Sequence, residues 1–252
     1  MAGVGGFQLV TAIGGVEAGR RIEATSTFTG VGGLRPDCFL VEAVAQAAGW
    51  LIAASSDFTR RGLPLVIETV RLLADPPASS PLDLVAEITG WRDRLAQVRG
   101  WVRCGGRVLG EAEGALCGLR EAEELEAPEA TRAAFAALRE TPPNGRGGDG
   151  GRAAVEPPGA PFPEAVDARG GRATWTVAGE HRLFADHFPR FPVLPGALLV
   201  QGLVELAQAV AAAGDGLRRP AVGLRQVRFR RAVRPGECPG CDYPPNIEER
   251  LR

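Results

Sequence analysis

The apolar positions of this chain follow two different periods. Segments 7–13 (FQLVTAI), 21–28 (RIEATSTF), 63–73 (LPLVIETVRLL), 82–93 (LDLVAEITGWRD), 95–104 (LAQVRGWVRC) and 107–119 (RVLGEAEGALCGL) alternate in and out or are rich in β-branched residues. That pattern predicts antiparallel strands. Residues 37–54 (DCFLVEAVAQAAGWLIAA) contain no Pro and one Gly and are apolar on almost every face, which predicts a helix buried on most sides. Pro36 and Asp37 suit its first turn, and Ala43, Ala45, Ala47 and Ala48 let a sheet approach closely.

The plan then recurs. Residues 171–179 (GRATWTVAG) predict a strand, 185–196 (ADHFPRFPVLPG) a Pro-rich irregular loop, 197–214 (ALLVQGLVELAQAVAAAG) a second buried helix, and 221–233 (AVGLRQVRFRRAV) a strand after it. Overlaying the helices puts Glu42 on Gln201 and Gln46 on Glu205, and overlaying the following strands puts Val70 on Val227. We read this as an internal duplication. Residues 127–140 have helical spacing and predict a short surface helix, and 141–163 (TPPNGRGGDGGRAAVEPPGAPFP) have linker composition. The expected organisation is therefore a first repeat at 1–120, a helix-plus-linker segment at 121–163 and a second repeat at 164–252. The second repeat reads as truncated. After Val233 only RPGECPGCDYPPNIEERLR remains, without strand alternation, which leaves an edge and part of the second helix for another copy to cover.

Composition narrows the function classes. The 252 residues carry 29 basic residues, all arginine, against 30 acidic ones, a net of −1 that argues against a nucleic-acid binder driven by bulk charge. No run of 18 apolar residues exists, which argues against a membrane span. The N-terminus lacks signal-peptide features, so a cytoplasmic location is expected. The 5 cysteines are scattered, and Cys238-Pro-Gly-Cys241 is half of a zinc or redox site with no second half, so no metal is expected.

The candidate chemistry lies in 186–201. His187 is one of 2 histidines; Pro189, Pro192 and Pro195 stiffen the chain after it, and Gly196 opens the second helix. A helix N-terminus presents free N–H groups and partial positive charge. A histidine fixed beside it suits proton removal next to a carbonyl, with the Gly196 amide polarising the oxygen. The blander alternatives are a histidine capping a turn and, for Glu42, an ion pair with an arginine. His181 carries no motif.

The run His187-Phe188-Pro189, Pro192, Pro195-Gly196 and the apolar helix after it resembles the 3-hydroxyacyl-acyl-carrier-protein dehydratases of the hotdog fold. Arg190 stands where that family often has Gly. The resemblance covers 179–237 strongly and 20–119 more weakly, chiefly at FLVEAVAQAAGWL. It implies an α+β double hotdog, each sheet wrapped around a long central helix. In that family an acidic residue falls 14 positions after the histidine. That position is Gln201 in the second repeat, whereas the first repeat keeps Glu42 but has Phe28 where the histidine would be. The resemblance thus implies one live site, His187 with Glu42, and one dead site, Phe28 with Gln201, in a pseudo-dimer within one chain. It implies dehydration of (3R)-3-hydroxyacyl thioesters carried on the phosphopantetheine of acyl carrier protein, with no cofactor of the enzyme's own. Gly196 would serve the oxyanion; Phe188 and Pro195 would line the substrate; Arg228 and Arg230 would meet the acidic carrier, or else form a solvated strand face. A hotdog acyl thioesterase and a non-catalytic acyl or carrier-binding module are the competing functions.

Overall fold

The structure is a computed structural model describing residues 7–28, 34–142, 165–167, 171–174, 184, 187–215, 222–237 and 240–242. Strands β1 (Val10–Glu17) and β2 (Arg21–Thr27) precede helix α1 (Pro36–Ser55). Then come β3 (Arg60–Leu72), β4 (Pro81–Arg92), β5 (Leu95–Cys104) and β6 (Arg107–Glu121), followed by α2 (Ala122–Leu125) and α3 (Pro128–Glu140). Beyond these lie β7 (Ala165–Asp167), β8 (Arg172–Thr174), α4 (Gly196–Asp215), β9 (Gly223–Arg228) and β10 (Gly240–Asp242).

Helix α1 starts where Pro36 presets the backbone, and Asp37 supplies a first-turn carboxylate that accepts from the Cys38 N–H at 2.8 Å. It stops at Ser56, whose hydroxyl donates to the Ile52 and Ala53 carbonyls, and the left-handed Asp57 and Phe58 turn the chain into β3. Phe39, Ala43, Ala47, Leu51, Ile52 and Ala53 are wholly enclosed. Each large apolar side chain so buried contributes roughly 1.5–3 kcal/mol. The sheet that wraps α1 is antiparallel and has the order β1-β2-β4-β5-β6-β3-β9. It approaches α1 closely at Gly62 and Gly100, where an added Cβ would lie 2.6 Å from Ile52 Cδ1 and 2.7 Å from Val44 Cγ1, respectively. This is an α+β hotdog arrangement, as the sequence pattern implied.

The second helix is covered less completely. Strand β9 pairs with β3, Val227 opposite Ile67, and so extends the first sheet. The remaining strands form a three-stranded sheet, β10-β8-β7. The expectation of no strand in the tail is corrected, because Gly240–Asp242 pairs with Arg172–Thr174. Both long helices have the length and hydropathy to cross a membrane; 67% of that stretch is buried in α1 but 44% in α4, where Leu203 is exposed. For α1, packing inside the sheet accounts for the apolar composition. Residues 175–179 of the expected 171–179 strand, most of the 141–163 linker, His181 and Cys238 lie outside the described residues, as does the Cys241 side chain. Helix α3, expected at the surface, lays Phe135 against Trp50 and Phe58 with ring centroids 6.0 and 5.2 Å apart.

Candidate active site

Glu42 sits on the second turn of α1 and is fully enclosed. Helical spacing puts Glu42, Gln46 and Trp50 on one stripe. Gln46 Nε2 donates to Glu42 Oε1 at 2.9 Å and to the Phe7 carbonyl at 2.6 Å, while Gln46 Oε1 accepts the Leu9 N–H at 2.7 Å. One amide thus orients the carboxyl and pins the segment leading into β1. Burial pushes the Glu42 carboxyl up to about 7, against the opposing hydrogen bonds from Gln46 and from the Ala197 amide. Ala197 belongs to the first turn of α4, so the N-terminus of the second long helix faces a carboxyl of the first.

His187 lies in the loop that precedes α4. Its Nδ1 is 3.0 Å from the Val193 carbonyl. A carbonyl only accepts, so Nδ1 carries the hydrogen and Nε2 keeps its lone pair. Burial pulls the imidazole down to about 4, outweighing the backbone bonds that favour its charged form. The Phe7 ring meets the imidazole edge-on, 6.4 Å between centroids. His187 and Glu42 therefore share neighbours: Gln46 holds both Glu42 and the Phe7 backbone. Val193, which accepts from His187, is four residues from Ala197, which donates to Glu42; such a stretch spans at most about 14 Å.

Of the other expected site residues, Gly196 begins α4. A Cβ there would meet Phe229 Cε1 at 3.0 Å, so its lack of a side chain also serves packing. Phe188 is buried against Leu125 and Val193. Pro195, the residue before Gly196, is also buried. Arg228 and Arg230 are exposed, Arg228 on the edge strand β9 with its Nη2 donating to Gln226 Oε1 at 3.2 Å.

The expected dead site is not open. Gln201 Oε1 accepts the Arg35 N–H at 3.0 Å and Gln201 Nε2 donates to Glu205 Oε1 at 3.0 Å. The amide and carboxylate have exchanged places relative to Glu42 and Gln46. The Arg35 guanidinium pairs with Asp37 at 3.0 Å and donates to Gln208 Oε1 at 3.1 Å. Phe28 packs edge-on against Phe39, 5.0 Å between centroids. Phe28 is thus engaged in ring packing, and Gln201 in hydrogen bonds to the N-cap residue of α1 and to Glu205 of its own helix.

Sequence reading missed three contributors. Helix α2 is too short to show a period, yet its residues dock the histidine loop. The Arg190 N–H donates to the Leu125 carbonyl at 2.9 Å, and Arg190 Nη1 to the Glu123 carbonyl at 3.0 Å. Phe7 was read only as strand composition. Gln46 had a visible signal, its i,i+4 spacing from Glu42. Among the described residues no group of three or more His, Cys, Asp and Glu could hold a metal.

Comparison with known proteins bears on this geometry. Residues 165–239 match the family model of the ApeI-like dehydratases. A 64-residue stretch is 39% identical to the 3-hydroxyacyl-acyl-carrier-protein dehydratase FabZ of Rhizobium rhizogenes, covering 24% of this chain and 41% of that one. Another is 33% identical over 64 residues to FabZ of Geobacillus thermodenitrificans, covering 24% and 44%. The matches thus span about two fifths of these relatives' length. A crystal structure described as an oleoyl thioesterase from Lactobacillus plantarum superposes with a TM-score of 0.52 at 13% identity, over 87% of this chain and 82% of that one. At that identity the likeness is one of fold.

Proposed function

We propose that this chain, a relative of the hotdog-fold dehydratases, removes water from (3R)-3-hydroxyacyl thioesters presented on acyl carrier protein, giving trans-2-enoyl thioesters. His187 Nε2 takes the proton from C2. The Glu42 carboxyl gives its proton to the departing hydroxyl, which leaves as water. The thioester oxygen gathers negative charge as C2 loses its proton, and the Gly196 amide at the positive end of α4 stabilises it. Proton and hydroxide leave together, so the balance of the step requires no redox partner. A resting proton distribution returns when the imidazolium and carboxylate exchange a proton through solvent or product water.

The observation that supports this reading best is the pairing of protonation states. A base at about 4 and an acid at about 7 mean that neutral imidazole and protonated carboxyl coexist as the dominant forms between those values. A small apolar cavity between α1 and the sheet is lined by Val44, Ala48, Ile52, Ile67, Val98 and Ala115. In this reading residues 1–120 and 164–252 act as the two halves of a pseudo-dimer, in the cytoplasm, with one working site.

The test is turnover of the purified full chain with two substrates, a 3-hydroxyacyl and a saturated acyl thioester of the same carrier. Formation of the enoyl product from the first, with the second left intact, is the expected result. Release of free acid from the saturated thioester would make the chain a thioesterase, as the fold neighbour allows; binding of both without turnover would make it a carrier-binding module. The exposed Arg228 and Arg230 are proposed to meet the acidic carrier. Reversing both charges (Arg228→Glu with Arg230→Glu) should raise KM for the carrier-bound substrate about tenfold, with a reduced dependence on salt, while leaving KM for a short thioester analogue unchanged. Equal effects on both substrates would remove these arginines from the docking surface.

A further inference from the structure

Arg61 has no part in the mechanism above, yet its position is unusual for an arginine. It stands at the start of β3 with its side chain almost wholly enclosed. Its guanidinium lies over Trp50 of α1 at 5.2 Å from the ring centroid, and over Phe188 of the histidine loop at 5.5 Å. Trp50 is two turns beyond Glu42 on the same stripe of α1; Phe188 is the residue after His187. Nε approaches Glu126 at 3.1 Å, just past α2, and Nη1 is buried with no acceptor among the described residues. Buried cations are costly and are retained where they are paired or serve a purpose. This one bridges the element that carries the carboxyl and the loop that carries the base.

We infer that Arg61 is a positioning residue for His187: in contact with the rings of both Trp50 and Phe188, it fixes the histidine loop against α1. The inference rests on the dehydratase reading for its effect on rate, but not for its effect on the imidazole. Arg61 acts on the imidazole from β3, with Glu126 as its counter-charge; Glu42 of α1 is held protonated by burial; Arg190 of the same loop is directed onto the Glu123 carbonyl. Arg61 is the charged side chain that acts on His187 in the same direction as burial, opposing protonation.

The experiment follows the His187 imidazole by NMR titration in the full chain, assigned with a His181→Gln variant because the chain has 2 histidines. Arg61→Gln should raise the His187 midpoint by about half a unit or more and lower kcat about tenfold with little change in KM. Arg61→Lys, which keeps the charge but not the planar stack, should hold the midpoint near the parent value and recover part of kcat. Glu126→Gln removes the counter-charge and should move the midpoint the other way, leaving His187 neutral to the lowest pH at which the fold persists. Loosened packing alone hydrates the site and would raise the midpoint in every variant, so opposite signs from Arg61→Gln and Glu126→Gln distinguish positioning from mere structure. If Arg61→Gln does not fold, Glu126→Gln and Arg61→Lys carry the test. A midpoint unmoved in folded Arg61→Gln, or raised in Glu126→Gln, overturns the inference. Absence of dehydration by the parent chain overturns the functional reading alone.

Discussion

Replacing His187 with alanine is expected to lower kcat/KM for 3-hydroxyacyl thioester dehydration by about 10²–10⁴-fold while the protein stays folded. The imidazole Nδ1 donates to the Val193 carbonyl, and that residue also lies in a loop held by the Val193 N–H to the His187 carbonyl at 2.8 Å. The backbone contact survives the substitution, so the loop keeps its shape while the base is lost. In the parent enzyme the activity should fall as pH drops through about 4, where the imidazole takes a proton and can no longer remove one. Single-turnover rates and thermal melting of the variant check this. Turnover within threefold of the parent would remove His187 from the role of base.

Glu42→Gln is expected to abolish most turnover and, above neutral pH, to make the protein more stable than its parent. Gln keeps the shape and can still bond Gln46 and the Ala197 amide, but it has no proton to give to a leaving hydroxyl. The stability gain follows from the sign of the shift. The folded chain holds the Glu42 carboxyl at about 7 against an ordinary 4.5, so the fold favours the protonated form. That contribution is complete below 4.5 and is lost as pH rises through about 7, where a charge must be carried inside the core. Gln avoids the charge. The stability difference between variant and parent should therefore grow by about 2–3 kcal/mol between pH 5 and pH 8, read as a pH-dependent gap in urea midpoints. A gap that does not change with pH would show that the carboxyl is not confined as the structure places it. In activity the same group sets the alkaline limb: turnover falls above about 7, giving a bell with its plateau between about 4 and 7.

The sequence exposes the long, strongly patterned elements because hydrophobic burial dictates them. Helix α1 falls within one residue of the range read from its all-round apolar surface, and β4 and β5 follow their alternation. The sequence pattern ends the first strand at Ile13, whereas β1 runs through Gly14 and Gly15 to Glu17, since pairing with Arg21–Glu23 overrides weak local propensity. His187 stands out in its Pro-rich loop before a helix, but Glu42 is visible only through the overlay of two repeats and a family resemblance, and nothing in its local sequence says that it is enclosed. Arg61 was invisible altogether. An arginine at the start of a strand reads as exposed, and it becomes buried where Trp50 and Phe188, far apart in the chain, bring their rings against its guanidinium. Arg35 is similar: its bond to Gln201 spans 166 positions.

The ladder between β3 and β9 has a consequence for how such a catalyst behaves when scarce. It stitches the strand after one long helix to the strand after the other, inside a single polypeptide. An acid and a base supplied by separate subunits drift apart when the protein is diluted below its dissociation constant. In the proposed site both belong to one chain, so specific activity is expected to stay flat on dilution.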